Sequence, residues 1–116
     1  MHVVTLAEAP LYEAPGHQGM TMRRLQGREA GPSQSVWIGL SEIEPGGGTT
    51  TSASNVEKFY VVLEGCVEIV ACTTSNTETT VVLQSLDSCR IEAGESRRLR
   101  NPASRPCKLM LVMPVT

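Results

Sequence analysis

Short apolar runs rich in Val, Ile and Leu recur from Ser35 onward, each closed by glycine, proline or a cluster of small polar residues. The first, Val36-Trp37-Ile38-Gly39-Leu40 continued by Ile43, stops at Pro45 and three glycines. Runs of β-branched and aromatic residues bounded in this way describe strands. Further strands are predicted over 57–63, 67–71, 79–83, 88–91, 96–100 and 108–113. Glu64-Gly65 separates the first two of these as a hairpin turn, Thr73 to Thr77 reads as a polar loop, and Ala93-Gly94-Glu95 as a turn. The run Gly46 to Thr51 is expected to be a loop. Residues 1–34, interrupted by Pro10, Pro15-Gly16 and Gly31-Pro32, read as an amino-terminal arm with edge strands, with weak strand character at Val3-Val4 and Met20 to Leu25. No segment carries an apolar stripe at helical spacing over ten residues. Short strands between Gly- and Pro-marked turns indicate an all-β sandwich or closed barrel.

Composition narrows this picture. A chain of 116 residues has room for one core, and 41% hydrophobic with 19% charged residues suits a globular domain. Trp37, Phe59, Tyr12 and Tyr60 are the only aromatics, so the core must come from Val, Leu, Ile and Met. Nothing approaches the ~20 apolar residues of a membrane helix. The amino terminus lacks the basic start and apolar stretch of a secretory signal, so a cytoplasmic location is expected, with Cys66, Cys72, Cys89 and Cys107 as thiols. A net charge of −2 offers no general attraction to nucleic acid. Six of the ten basic residues lie between Arg90 and Lys108, but strand alternation turns Arg98 and Arg100 away from Arg97 onto a solvated face.

Two spacings carry a resemblance. From Gly46, five residues lead to Ser52, then Ser54, three more to Lys58, and six more to Gly65. Later come Glu92-Ala93-Gly94, Arg97, and Asn101-Pro102. This frame resembles the two motifs of the cupin family over roughly residues 35–114. It implies a cupin-type double-stranded β-helix, or jelly-roll barrel, over 35–116 behind the arm of 1–34. In the family, the positions matched by Ser52, Ser54, Lys58 and Arg97 hold two histidines, a glutamate and a third histidine that converge on a metal ion. Two hydroxyls and two cations are no ligand set for a divalent ion, so neither metal nor cofactor is expected.

If the geometry of the family holds, Lys58, Tyr60 and Val62 line the interior while Glu57, Phe59 and Val61 face out. A desolvated Lys58 beside Arg97 has its pKa lowered and suits a general base or an imine-forming nucleophile. It is equally open to a structural role, paired with Glu57, Glu92 or a carboxylate of the arm. Arg97 is the expected anchor of a carboxylate. Tyr60 is a proton donor or simply wall, and Ser52 and Ser54 are candidate substrate-binding hydroxyls. Two function classes follow: a metal-independent lyase, isomerase or decarboxylase acting on a small oxo-acid-like anion, or a non-catalytic module that binds such an anion. The absence of any fused effector segment favours the enzyme. No nucleic-acid or membrane partner is expected, and the resemblance to small cupins implies a homodimer, formed by exchange of the edge-like strand at Met20 to Leu25.

Overall fold

The computed structural model describes residues 1–116. Ten strands follow in chain order: β1 (Leu11–Tyr12), β2 (His17–Gln26), β3 (Val36–Thr49), β4 (Ser52–Ala53), β5 (Lys58–Glu64), β6 (Val67–Cys72), β7 (Glu78–Leu83), β8 (Ser88–Ile91), β9 (Ser96–Arg100) and β10 (Cys107–Pro114). A 3-10 turn at Arg28–Ala30 is the only helical element. The strands run in the order β7-β6-β9-β3-β10-β5-β8, and β2 adds to β3 while β4 adds to β9. All pairs are antiparallel, and the sheet curls into a nearly closed barrel.

Period-two alternation fills one end of this barrel with apolar side chains. Ile43, Val62, Val67, Ile69, Leu99, Cys107 and Leu109 are almost wholly buried and form one cluster. Burying this many aliphatic groups contributes roughly 1.5–3 kcal/mol each before chain entropy is counted. Burial pushes the Cys107 thiol up to about 11, with Cys66 adding to the rise, so Cys107 is inert core.

The loop expected at Gly46 to Thr51 is corrected by the structure, because β3 continues through Pro45 to Thr49. Its pairing with β2 jumps from Met20↔Ile43 to Gln18↔Gly48, so residues 44–47 form a wide bulge that turns the strand from one wall of the barrel into the other. Gly46 sits at φ 78, which favours a residue without a side chain. Gly48 lies where β9 crosses, in register with Arg100, and a Cβ there would collide with the Leu99 carbonyl. The glycines that look like a strand breaker are what let one strand serve both walls. Val3-Val4 is not a strand, whereas the weak signal at Met20 to Leu25 lies within β2, hydrogen-bonded along the chain's own β3.

Asn101, at the second motif, is completely buried. Its Nδ2 donates to the Ile43 carbonyl at 2.9 Å and the Arg105 carbonyl at 2.8 Å, and its Oδ1 accepts from the Ala103 amide at 3.0 Å. With Gly46 N–H donating to its carbonyl and its own N–H to Gly47, this residue fastens the β9–β10 connection to the bend in β3. That bend holds the far end of β3, and therefore Thr49, in place beside β9.

Candidate functional site

The other end of the barrel is polar. On β5, Lys58, Tyr60 and Val62 face inward, as the alternation predicts, and Phe59 is 41% exposed on the outside. On β9, Arg97 and Leu99 face inward while Arg98 and Arg100 are exposed. Lys58 and Arg97 are each 6% exposed and Tyr60 2%, so two cations and a phenol share the inner end of the barrel.

Arg97 is held by four acceptors. Its Nε donates to Tyr60 Oη at 2.8 Å, and its Nη1 donates to Ser52 Oγ at 2.9 Å, Thr49 Oγ1 at 3.2 Å and the Thr50 carbonyl at 3.4 Å. Ser52 reaches it because β4 pairs Ser52 directly with Arg97, and Thr49 Oγ1 also accepts the Leu99 amide at 3.1 Å. None of these acceptors carries a charge. The second terminal nitrogen, Nη2, has no protein partner.

Lys58 is bare by comparison. It makes no hydrogen bond, and no carboxylate lies within ion-pair distance. Of the carboxylates expected as partners in the structural alternative, Glu57 and Glu92 pair instead with Arg90 on the outer face, and none from the arm pairs with Lys58. Adjacent positions on a strand point to opposite sides, which removes Glu57 from reach. No sealed side-chain nitrogen or oxygen lacks a partner in this chain, so Lys58 Nζ and Arg97 Nη2, having none, meet solvent at the barrel mouth. Desolvation first, and then the Arg97 charge, lower the Lys58 pKa to about 8. Burial pushes the Tyr60 phenol up, against the opposing pull of Arg97. Across β8, Cys89 faces the same space in register with Tyr60; burial and the Glu95 carboxylate push its thiol up, so it is no ready nucleophile.

Ser54 is not brought into this group. Its hydroxyl donates to the Val56 carbonyl at 2.9 Å and accepts from the Val56 amide, capping its own loop. A cleft of about 460 Å³ lies outside the barrel where β3 crosses β9, lined by Gly46 to Thr50, Arg98 and Arg100. Its arginines are solvated and its buried polar residue, Thr49, turns its hydroxyl to Arg97 and the Leu99 amide, so the mouth is the better candidate.

No family model matches the chain. It is 39% identical over 113 residues to the beta-D-galactosidase Rv1717 of Mycobacterium tuberculosis, an alignment that spans 97% of this chain and 93% of the relative. Among solved structures, the polyketide cyclase RemF from Streptomyces resistomycificus superposes with a TM-score of 0.82 at 21% identity, over 100% of this chain and 80% of that one. An RmlC-like cupin from Shewanella frigidimarina superposes with a TM-score of 0.78 at 14% identity, over 100% and 92% of the respective chains. This chain belongs to the same family as the Mycobacterium tuberculosis relative and has the cupin fold.

The cupin fold commonly holds a metal, and the donors of this chain do not fit one. At the four expected positions stand Ser54, spent on its own loop, Ser52, bonded to Arg97, and two cations. A divalent ion placed among them meets fixed positive charge and no imidazole, carboxylate or thiolate. Sequence reasoning missed several mouth residues of this cupin. Thr49 was lost in the expected loop. Tyr12, Arg24 and Trp37 come together only through pairing of the arm, with the Arg24 guanidinium 3.6 Å from the Tyr12 ring centre and 4.1 Å from that of Trp37. The scarcity of aromatics was the one available signal for them.

Proposed function

We propose that this cupin is a metal-independent enzyme acting on a small anionic, oxo-acid-like molecule, as a lyase, isomerase or decarboxylase. The observation that carries the reading is a desolvated, unpartnered Lys58 beside an Arg97 whose Nη2 is free and whose other nitrogens are fixed. Arg97 anchors the carboxylate, and its locked side chain loses little further entropy on binding. With a pKa of about 8, a useful fraction of Lys58 is neutral near pH 7. The neutral amine either takes a proton next to the carbonyl or adds to the carbonyl carbon. In the second case the carbonyl oxygen leaves as water after gaining two protons, and the cationic imine draws in the electron pair released when a neighbouring bond breaks. Tyr60 orients the carbonyl oxygen, and Ser52 holds the guanidinium.

Borohydride reduction in the presence of pyruvate, oxaloacetate or 2-oxoglutarate tests the imine. A mass increment on Lys58 in the wild type and none in Lys58→Met is the expected result. Turnover without labelling leaves Lys58 as a base. Thermal stabilisation by these acids without any turnover favours the binding module and removes the enzyme reading.

The relative in Mycobacterium tuberculosis favours a second reading, hydrolysis of a β-galactoside. Hydrolysis of this type ordinarily uses two carboxylates about the scissile bond. Here Glu57 sits on Arg90 outside the barrel, and Glu95, near Cys89, accepts the Glu92 amide. Release of nitrophenol from a nitrophenyl β-galactoside by wild type, abolished in Lys58→Met, favours this reading.

A homodimer is also part of the proposal. The outer face of β3, β10 and β5 presents Ile38, Leu40, Met110, Val112, Phe59 and Val61 in register, and a groove of about 560 Å³ separates it from Leu6 and Ala7 of the arm. An apolar face of this kind supports pairing of two copies face to face. Sedimentation equilibrium at micromolar concentration is expected to give twice 12.5 kDa, and the mass of one chain contradicts the proposal.

A further inference from the structure

Tyr12 is the only aromatic that the arm carries into the barrel. β1 pairs it with Met22 of β2, and its ring meets Trp37 edge-on at 5.9 Å between centres. Arg24 lies against both rings and is itself tied to Glu29 at 3.2 Å. The ring is therefore fixed from several sides, at little further entropic cost on binding.

Its hydroxyl is placed by a missing side chain. A Cβ built on Gly39 would lie 3.2 Å from Tyr12 Oη and 2.8 Å from Trp37 Cζ3, so the phenol tip rests over bare backbone on the inner face of β3. Register continues from Gly39 through Leu111 to Tyr60 and Cys89, which puts the hydroxyl in the same inward row as Tyr60. Tyr12 Oη has no hydrogen-bond partner, and since no sealed polar side-chain atom goes unpartnered, it keeps contact with solvent. Burial raises the Tyr12 phenol, Arg24 opposes the rise, and Tyr60 adds to it, so the two hydroxyls are within electrostatic reach.

We infer that Tyr12 is a ligand-binding group of the Lys58–Arg97 site, its hydroxyl hydrogen-bonding an oxygen of the bound molecule at the end away from the carboxylate. The inference rests on the proposed reading of that site and deepens it by naming the ligand class. Gly39 and Tyr60 stand two strand spacings apart, roughly 10 Å. A molecule that meets both Arg97 and Tyr12 carries, besides its carboxylate, a distal hydroxyl or carbonyl. A hydroxylated acid of the sugar-acid class has this shape. An Ala at position 39 would crowd the phenol, so Gly39 sets the room available to that distal group.

Titration calorimetry with D-galacturonate, and with pyruvate as the short acid, tests this on wild type, Tyr12→Phe, Arg97→Lys and Lys58→Met. Phenylalanine keeps the stacking on Arg24 and Trp37 and removes only the hydroxyl. The expected result is galacturonate bound about five- to tenfold more weakly by Tyr12→Phe, the weight of one neutral hydrogen bond, with its pyruvate affinity and melting temperature unchanged. Galacturonate binding that is lost in Arg97→Lys and Lys58→Met but intact in Tyr12→Phe overturns the inference and leaves the reading of the site standing. Equal weakening of both acids in Tyr12→Phe also overturns it, because a hydroxyl that only props the arm does not tell them apart. No galacturonate binding by wild type that does bind pyruvate overturns the inference alone, and binding of neither acid overturns the reading of the site with it.

Discussion

Lys58→Met is expected to be more stable than the wild type at pH 7 by about 2–3 kcal/mol, a rise in melting temperature of roughly 10 °C. The ammonium of Lys58 is desolvated, faces the Arg97 charge and has no carboxylate to offset either cost. Methionine keeps an apolar stem of similar length and removes the charge. The pH dependence identifies the cause. The lysine titrates at about 8 in the folded chain against the ordinary 10.5. Below pH 8 both folded and unfolded chains hold the proton, and the full cost of burying it is present. Between pH 8 and 10.5 the unfolded chain binds more protons than the folded one, so wild-type stability rises with pH over that window. The advantage of the variant must shrink from pH 8 to pH 10.5. Chemical denaturation of the two proteins at pH 7 and pH 10 checks both statements, and a variant no more stable than wild type at pH 7 contradicts the first.

Gly48→Ala is expected to cost about 3 kcal/mol or more, at the upper end of what overpacking does. A methyl group there collides with the Leu99 carbonyl and lies 2.8 Å from the Leu99 carbonyl carbon and 2.9 Å from Arg100 Cα, all backbone that no rotamer change can clear. Either β9 moves off β3 or β3 bends elsewhere. Both outcomes shift Thr49, which holds the Leu99 amide and Arg97 Nη1, so the cationic mouth loosens together with the fold. Gly46→Ala is the control. Nothing lies within 4 Å of its added Cβ, and the cost is confined to φ 78, about 1 kcal/mol. Urea midpoints of the two variants are expected to separate clearly, and equal midpoints would mean that the crossing is looser than the structure has it.

These two positions also show what could be read from the chain before its fold was known. The inward set Lys58, Tyr60, Val62 and the split of Arg97 from Arg98 and Arg100 were legible, because alternation along a short strand is fixed by backbone geometry alone. The motif spacings located the same residues. The course of β3 past Pro45 was hidden, since Pro-Gly-Gly-Gly is the composition of a loop and equally of a wide bulge, and only the partner strand decides between them. The two residues of β4 were too short to leave a pattern, although they bring Ser52 onto Arg97. Whether Lys58 had a counter-charge depended on where Arg90 reached, a tertiary fact. The stacking of Tyr12 on Arg24 and Trp37 was equally beyond reach, because pairing of the arm brings together residues separated by more than ten positions.

The chemistry of the barrel mouth depends on a lysine that is buried near a fixed arginine with no carboxylate for company. Lysine side chains labelled with carbon-13 at Cε and followed by NMR across pH 6 to 11 would report it directly, with the Lys58 resonance assigned by its absence in Lys58→Met. A midpoint at about 8, moving upward when Arg97 is replaced by methionine, is the predicted result. A midpoint near the ordinary 10.5, indifferent to Arg97, would contradict it.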